Sequence, residues 1–335
     1  MNGLVSMQYR NQKYEEWLET GCRESVITIF TPTYNRASFI HRVYECLIGQ
    51  NNHQFIWIVV NDGSIDDTDK VMQSILGKNE IPILFITKPN GGKHSAFETA
   101  FNETRTEFFL CMDDDDIYSL GAVSTYLEEW ARIKENGEYD IIGAIRTLTQ
   151  NENGQIVARK PFDMALLGYR KNLSTLESNY VYHEWFENWT CYRVDALRKI
   201  NLFAKDYWLH DQHIFFSESI WQGRFARKYK CRYYFVVLRE YRHDTETSII
   251  RSKKDRQHYL DMFINTKMCL DEQFDYIRRI PCVLLKDIAI VSILRCRLGI
   301  SLFELLRFTN LRILKVCYVI TTPIAWVVKF PKINE

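Results

Sequence analysis

Four aspartates in succession, Asp113, Asp114, Asp115 and Asp116, end the apolar run Phe108-Phe109-Leu110-Cys111-Met112. A run this short, closed abruptly by acids, predicts a buried strand whose carboxyl end projects from a sheet. Alternate side chains of an extended chain share a face. Asp113 and Asp115 are therefore delivered together to that edge, where open α/β sheets bind ligands. Neighbouring carboxylates repel and raise one another's pKa unless water or a divalent cation offsets the charge, so the pair predicts a cation site. A hydrated acidic turn ahead of a helix starting near Ser119 is the plainer alternative.

The surrounding chain predicts the sheet itself. Strand patterns at residues 26–31, 55–60, 81–87, 108–112 and 140–145 alternate with helix patterns at 37–50 and 66–76, which is the signature of an α/β layer fold with a mostly parallel sheet. Pro82 marks the third strand as an edge strand or its start. An N-terminal arm runs to about Glu24, and no internal repeat is visible. The 335 residues, 46% hydrophobic and 25% charged, suffice for one large or two modest cores. A net charge of +1 gives no footprint for nucleic acid. Nine single cysteines, no metal-binding Cys/His spacing and no signal-peptide core predict a reducing, cytoplasmic setting.

Three predicted strand ends carry polar residues able to converge on one ligand: Thr31-Pro32-Thr33-Tyr34-Asn35-Arg36, Asn61-Asp62-Gly63-Ser64, and the aspartates. A nucleotide suits them, since an aromatic ring stacks on a base, a carboxylate accepts a base N–H, and a metal neutralises a diphosphate. Asn90-Gly91-Gly92-Lys93-His94 adds paired glycines that admit close backbone approach and a lysine for phosphate. Each piece alone reads more readily as a turn or as packing.

With these motifs in this order, the sequence resembles the family 2 glycosyltransferases, whose nucleotide-sugar-binding fold is called GT-A, and within them a branch with the Asn-Gly-Gly-Lys-His and Phe-x-x-Glu segments. The resemblance implies a GT-A domain over residues 25–250 and inverting transfer of a sugar from a nucleotide diphosphate-sugar, UDP-linked by expectation, with Mn2+ or Mg2+. It places Pro32, Tyr34, Asn61 and Asp62 near the base, Arg36, Gly92 and Lys93 along the nucleotide, and Asp113 and Asp114 beside the donor. Asp113 and Asp115 become the metal positions. Asn61 departs from the family's acid, which leaves the sharing of base contacts between Asn61 and Asp62 open. The acceptor is a carbohydrate or a lipid-linked glycan, and the setting surface-polysaccharide or glycan assembly.

Inverting transfer needs a general base at the acceptor hydroxyl. The resemblance favours Glu218, in Phe215 to Glu218 followed by Glu240-Tyr241-Arg242-His243-Asp244; Asp211 is its rival. His243 and Asp244 fall on the element that closes over the diphosphate in related enzymes. Trp185 and Trp189 are expected to stack on acceptor sugar, with Glu187 accepting a hydroxyl. Two other classes stay open, a metal-dependent sugar-phosphate nucleotidyltransferase and a non-catalytic carbohydrate-binding protein. The first usually opens with a glycine-rich phosphate loop, whereas residues 31–36 contain no glycine.

Residues 251–335 predict a helical region. From 282 onward eight Lys or Arg face three acids, a local charge of +5. Residues 316–328 are apolar between Lys315 and Lys329, but these thirteen positions fall short of the roughly 20 that span a bilayer, and Pro323 interrupts them. A membrane-interfacial helix with Trp326 at headgroup level, on the inner face of the cell membrane, stands beside a helical subdomain packed on protein or on a second chain in a homo-oligomer.

Overall fold

The computed structural model describes residues 6–20, 26–202, 217–242 and 256–327. They form two compact units.

The first unit is built on a ten-stranded sheet. Its strands are β1 (Met7–Arg10), β2 (Ile27–Thr33), β3 (Phe55–Asn61), β4 (Ile83–Thr87), β5 (Phe108–Cys111), β6 (Ile117–Tyr118), β7 (Ile142–Asn151), β8 (Arg170–Leu173), β9 (Asn188–Arg193) and β10 (Lys230–Tyr241). Helices α1 (Gln12–Glu19), α2 (Ala37–Ile48), α3 (Thr68–Lys78), α4 (Lys93–Glu103), α5 (Ala122–Glu135) and α7 (Val194–Arg198) come between them, whereas α6 (Thr175–Tyr180), which follows β8 in the chain, belongs to the second unit. The order β1-β4-β3-β2-β5-β9-β7-β10-β6 contains a parallel core, β4-β3-β2-β5, flanked by antiparallel β1 and β9, with a second parallel pair, β7 and β10, beyond β9. The expected α/β fold is therefore present, and each predicted strand and helix of the parallel core appears, displaced by at most a few residues.

Burial explains the apolar runs. Every residue of β3 is buried, as in a parallel sheet covered on both faces. Ile27, Ile29, Trp57, Val59, Phe85, Phe108 and Leu110 face a core shared with α2, α3 and α5. The intervening Phe30 and Phe109 meet Phe97 and Phe101 of α4 through ring contacts of 5.2–6.0 Å.

Structure at the N-terminus is richer than an arm. β1 pairs antiparallel with β4, Met7 opposite Thr87 and Arg10 opposite Leu84, so β4 is not the edge, and Pro82 marks only its start. Buried Asn11 secures the junction. Its Nδ2 donates to Ile81 O at 2.7 Å, while its Oδ1 accepts from Ile83 N and caps α1 through Tyr14 N.

The second unit comprises residues 175–183 and 200–228 together with 245–335. Its helices include α6, α8 (Glu218–Ala226), α9 (Arg256–Ile277), α10 (Pro281–Leu298), α11 (Leu302–Arg307) and α12 (Arg312–Val327). Their core contains Ile220, Phe263, Ile264, Leu270, Val291, Leu294, Leu305, Leu314 and Tyr318. Among the described residues no helix is long and apolar enough to cross a membrane.

Candidate active site

Four strand ends build the site. Thr33 lies opposite Asn61 and Asn61 opposite Thr87, so β2, β3 and β4 finish flush. Across β2, Cys111 of β5 faces Phe30, and Met112 N–H still bonds Phe30 O at 2.8 Å before the chain leaves the sheet as Asp113. The chain progresses outward from β2 to β4 and returns to its other side with β5, which makes the β2/β5 boundary a topological switch point.

The loops after β2 and β3 are stitched together. Asn35 takes a left-handed conformation (φ 54°), donates its N–H to Ser64 Oγ and accepts from Ile65 N, both at 2.8 Å. Asp66 Oδ2 accepts from Ala37 N at 2.9 Å, satisfying a first-turn amide of α2 from the neighbouring loop. Asn61 closes its own turn, accepting from Ser64 N and donating to Asp69 Oδ1 at 2.8 Å. An aspartate at 61 would have no proton to give Asp69, so the departure from the family's acid has a local structural reason.

Asp62 holds the glycine loop. Its buried carboxylate accepts from Gly91 N (3.0 Å), Gly92 N (2.6 Å) and Lys88 Nζ (2.5 Å). Gly63 makes this approach possible, because a β-carbon there would sit 2.8 Å from Asn90 N on a backbone with φ +82°. Lys88 escaped the sequence reading, although a lysine directly after a parallel strand belongs to the same sheet edge as the other motifs.

The aspartates alternate in exposure, but through a turn at Asp114 and Asp115 that follows β5 rather than through the extended chain expected from sequence. Side-chain exposure runs 29% for Asp113, 7% for Asp114, 24% for Asp115 and 2% for Asp116. Each outward carboxylate meets a cation, Lys93 Nζ at 2.8 Å from Asp113 and Arg36 Nη1 at 2.7 Å from Asp115. Arg36 also reaches Asp114 Oδ1 at 3.1 Å. Behind them, Arg239 of β10 approaches Asp116 at 3.4 Å and Glu187 at 2.8 Å. Arg239 is a second residue missed from sequence, though it adjoins the quoted Glu240-Tyr241 segment. Tyr118 Oη donates to Asp113 O at 3.0 Å, and β6 pairs with β10, so the acidic loop is fixed at both ends.

Burial pushes the Asp114 carboxyl up to about 7, against the pull of Arg36 and with Asp115 and Asp113 adding to the rise. Asp116 is likewise pushed up to about 7 by burial, opposed by Arg239. Asp113 goes the other way. Burial alone would raise it, but Lys93, with Arg239 behind, holds it below the usual carboxylate range.

Among the described residues no group of three or more His, Cys, Asp or Glu side chains is disposed to enclose a metal. The donor chemistry nevertheless suits a hard cation. Asp113 and Asp115 present carboxylate oxygens at a partly open edge, and Mg2+-like ions use one or two carboxylates with the remaining positions left to phosphates and water.

Other expected positions differ in character. Tyr34 is exposed beside half-buried Pro32 at the mouth of the β2 loop. Trp189 is corrected to a core residue. It is 3% exposed, donates from Nε1 to Cys111 O at 2.6 Å, and packs on Tyr118 and Tyr126, leaving no ring face for a sugar. Trp185 is partly exposed under the Arg159 guanidinium, and exposed Glu187 pairs with Arg239. Glu218 is exposed at the start of α8 in the second unit, capped by Ser217. Asp211, His243, Asp244 and the Trp326 side chain lie outside the described residues.

Comparison with known proteins agrees with this architecture. The chain is 24% identical over 306 residues to chondroitin synthase of Pasteurella multocida, an alignment covering 84% of this chain and 29% of that protein. It is 28% identical over 138 residues to hyaluronan synthase of Pasteurella multocida, covering 41% of this chain and 14% of that one. It thus spans less than a third of the length of these relatives. In fold it is similar to S. aureus TarS 1-349, crystallised in complex with UDP-GlcNAc, with a TM-score of 0.53 at 16% identity over 90% of this chain and 91% of that one. The family model described as glycosyl transferase family 2 matches residues 28–200, which contain every strand end described above. The chain belongs to glycosyl transferase family 2.

Proposed function

We propose that this chain transfers a sugar from a UDP-sugar to a carbohydrate or lipid-linked acceptor, with inversion at the anomeric carbon. The observation that carries this reading is the alternation at the end of β5, where two outward carboxylates, Asp113 and Asp115, sit with Lys93 and Arg36 at a switch point. Tyr34 offers a ring to the base, with Pro32 beside it, and the Asn61-Asp62 turn lines the same pocket. Arg36 and Lys93 supply positive charge for the diphosphate, and the glycine loop that Asp62 clamps brings backbone close to it. Asp113 and Asp115 would hold Mn2+ or Mg2+, which when bound neutralises charge developing on the departing diphosphate.

The acceptor hydroxyl gives its proton to Glu218 or Asp211 as its oxygen bonds the anomeric carbon and the nucleotide leaves from the opposite face. Trp185 and Glu187 are proposed as acceptor contacts, and His243 and Asp244 as residues closing on the diphosphate. The names of the relatives point to polysaccharide assembly, with the enzyme on the cytoplasmic side where nucleotide-sugars are made available. Neither the nucleotidyltransferase nor the non-catalytic alternative is favoured by any feature of the site.

A screen of nucleotide-sugars with and without Mn2+, following nucleoside diphosphate release, tests the reaction class. Metal-dependent release from a UDP-sugar is expected. Pyrophosphate release from a sugar phosphate and a nucleoside triphosphate would replace the proposal with the other enzyme class. Under saturating donor, Glu218→Gln and Asp211→Asn identify the base, because only the true base loses nearly all turnover while still binding UDP.

A further inference from the structure

Helix α12 is apolar on two sides. Leu314, Tyr318 and Ala325 are buried, and Thr321 bonds Ser292 of α10, which accounts for the inward face. The opposite face begins with Arg312 and continues through Ile313, Val316, Val319, Ile320 and Pro323, all exposed. Ile313, Val316 and Ile320 are 55%, 56% and 64% exposed. At 100° per residue these positions fall in one arc, so they form a continuous stripe over three turns. A soluble helix normally presents charge there.

The charges that are present have one sign. Between residues 305 and 334 the chain carries five bases, Arg307, Arg312, Lys315, Lys329 and Lys332, and no acid. A second copy docking through the same stripe would bring two such segments together and repel. An anionic bilayer would take the stripe's apolar residues into its interface and attract Arg312 and Lys315 beside them. The sixteen described residues of α12 span about 24 Å, less than a bilayer's thickness and suited to lying along its surface.

We infer that the outward face of α12 is a docking surface for an anionic lipid bilayer, with Ile313, Val316 and Ile320 entering the interface and Arg312 and Lys315 meeting lipid phosphates. This goes beyond the transfer reaction and holds whichever donor the first unit takes.

Vesicle sedimentation of the full chain tests it, comparing phosphatidylcholine with phosphatidylcholine containing phosphatidylglycerol. The wild type should sediment with the anionic vesicles, and roughly ten-fold less with Ile313→Gln, Val316→Gln and Ile320→Gln combined. Arg312→Gln with Lys315→Gln should weaken binding several-fold, and added salt should weaken the wild type similarly. Unchanged thermal midpoints would show that these surface changes leave the fold in place. Wild type that stays in the supernatant, or a triple variant that sediments as the wild type does, overturns the inference. So does a concentration-dependent dimer in sedimentation equilibrium that the triple substitution abolishes while vesicles draw down neither protein.

Discussion

Asp62 shows how much one carboxylate organises. Its three acceptor contacts tie the end of β3 to the glycine loop and neutralise Lys88 in a buried setting. Asp62→Asn keeps the shape but sets an amide against Lys88 and the two glycine N–H groups. Stability should fall by about 1–3 kcal/mol in chemical denaturation, and UDP affinity should fall with it. Unaltered UDP binding would mean that the glycine loop contributes nothing to the donor site. Asp114 makes a prediction of opposite character. Its native carboxyl keeps its proton up to about 7, whereas in an unfolded chain an aspartate releases it near 3.9, so between these values the native state holds the extra proton. Its contribution is therefore full at low pH and declines as pH rises towards 7, levelling off above. In metal-free buffer, Asp114→Asn should flatten the stability profile across that window. Parallel profiles for variant and wild type would refute the assignment.

At the level of elements, the site depends on loops that only glycine permits. Gly63→Ala places a β-carbon 2.8 Å from Asn90 N and strains a positive-φ backbone, at a cost of about 1–3 kcal/mol. Hydrogen exchange at the Gly91 and Gly92 amides should accelerate as Asp62 loses its grip, and unchanged exchange would contradict the clamp. These elements also show what a sequence discloses. β3 and β5 were legible because both faces of a parallel strand are buried, leaving apolar runs that stop at polar turns, and β2 because β-branched and aromatic residues lead up to Pro32. β1 was not, since its four residues are largely exposed and become a strand only by pairing with β4. Trp189 misled for a related reason. A tryptophan in the sequence does not reveal whether its ring faces solvent or fills the space between β9 and α5. Lys88 and Arg239 stand beside legible motifs, but their pairings were not readable because their partners, Asp62 and Asp116, are 26 and 123 positions away along the chain.

Across the whole molecule, two cores with no residue in common support two kinds of surface, a sheet edge proposed to bind the nucleotide in one unit and an exposed apolar helix face in the other. The second unit contains its own polar lock. Lys267, fully buried, donates to Asp271 at 2.5 Å and to Phe308 O at 2.8 Å, joining α9 to the end of α11. Lys267→Met leaves Asp271 buried without its cation and should cost roughly 3–5 kcal/mol, whereas Lys267→Met with Asp271→Leu should recover much of the loss. A double variant no more stable than the single would show that the Phe308 carbonyl, not the ion pair, is the critical partner. The central claim, however, concerns the first unit, where Asp113 and Asp115 gather donor and divalent cation at the end of β5. Calorimetric titration of UDP with and without Mn2+ measures it most directly. The account predicts binding that Mn2+ strengthens, and loss of that strengthening in both Asp113→Ala and Asp115→Ala with thermal unfolding still cooperative. UDP binding that is indifferent to Mn2+ in the wild type, or equally Mn2+-dependent in both variants, would contradict it.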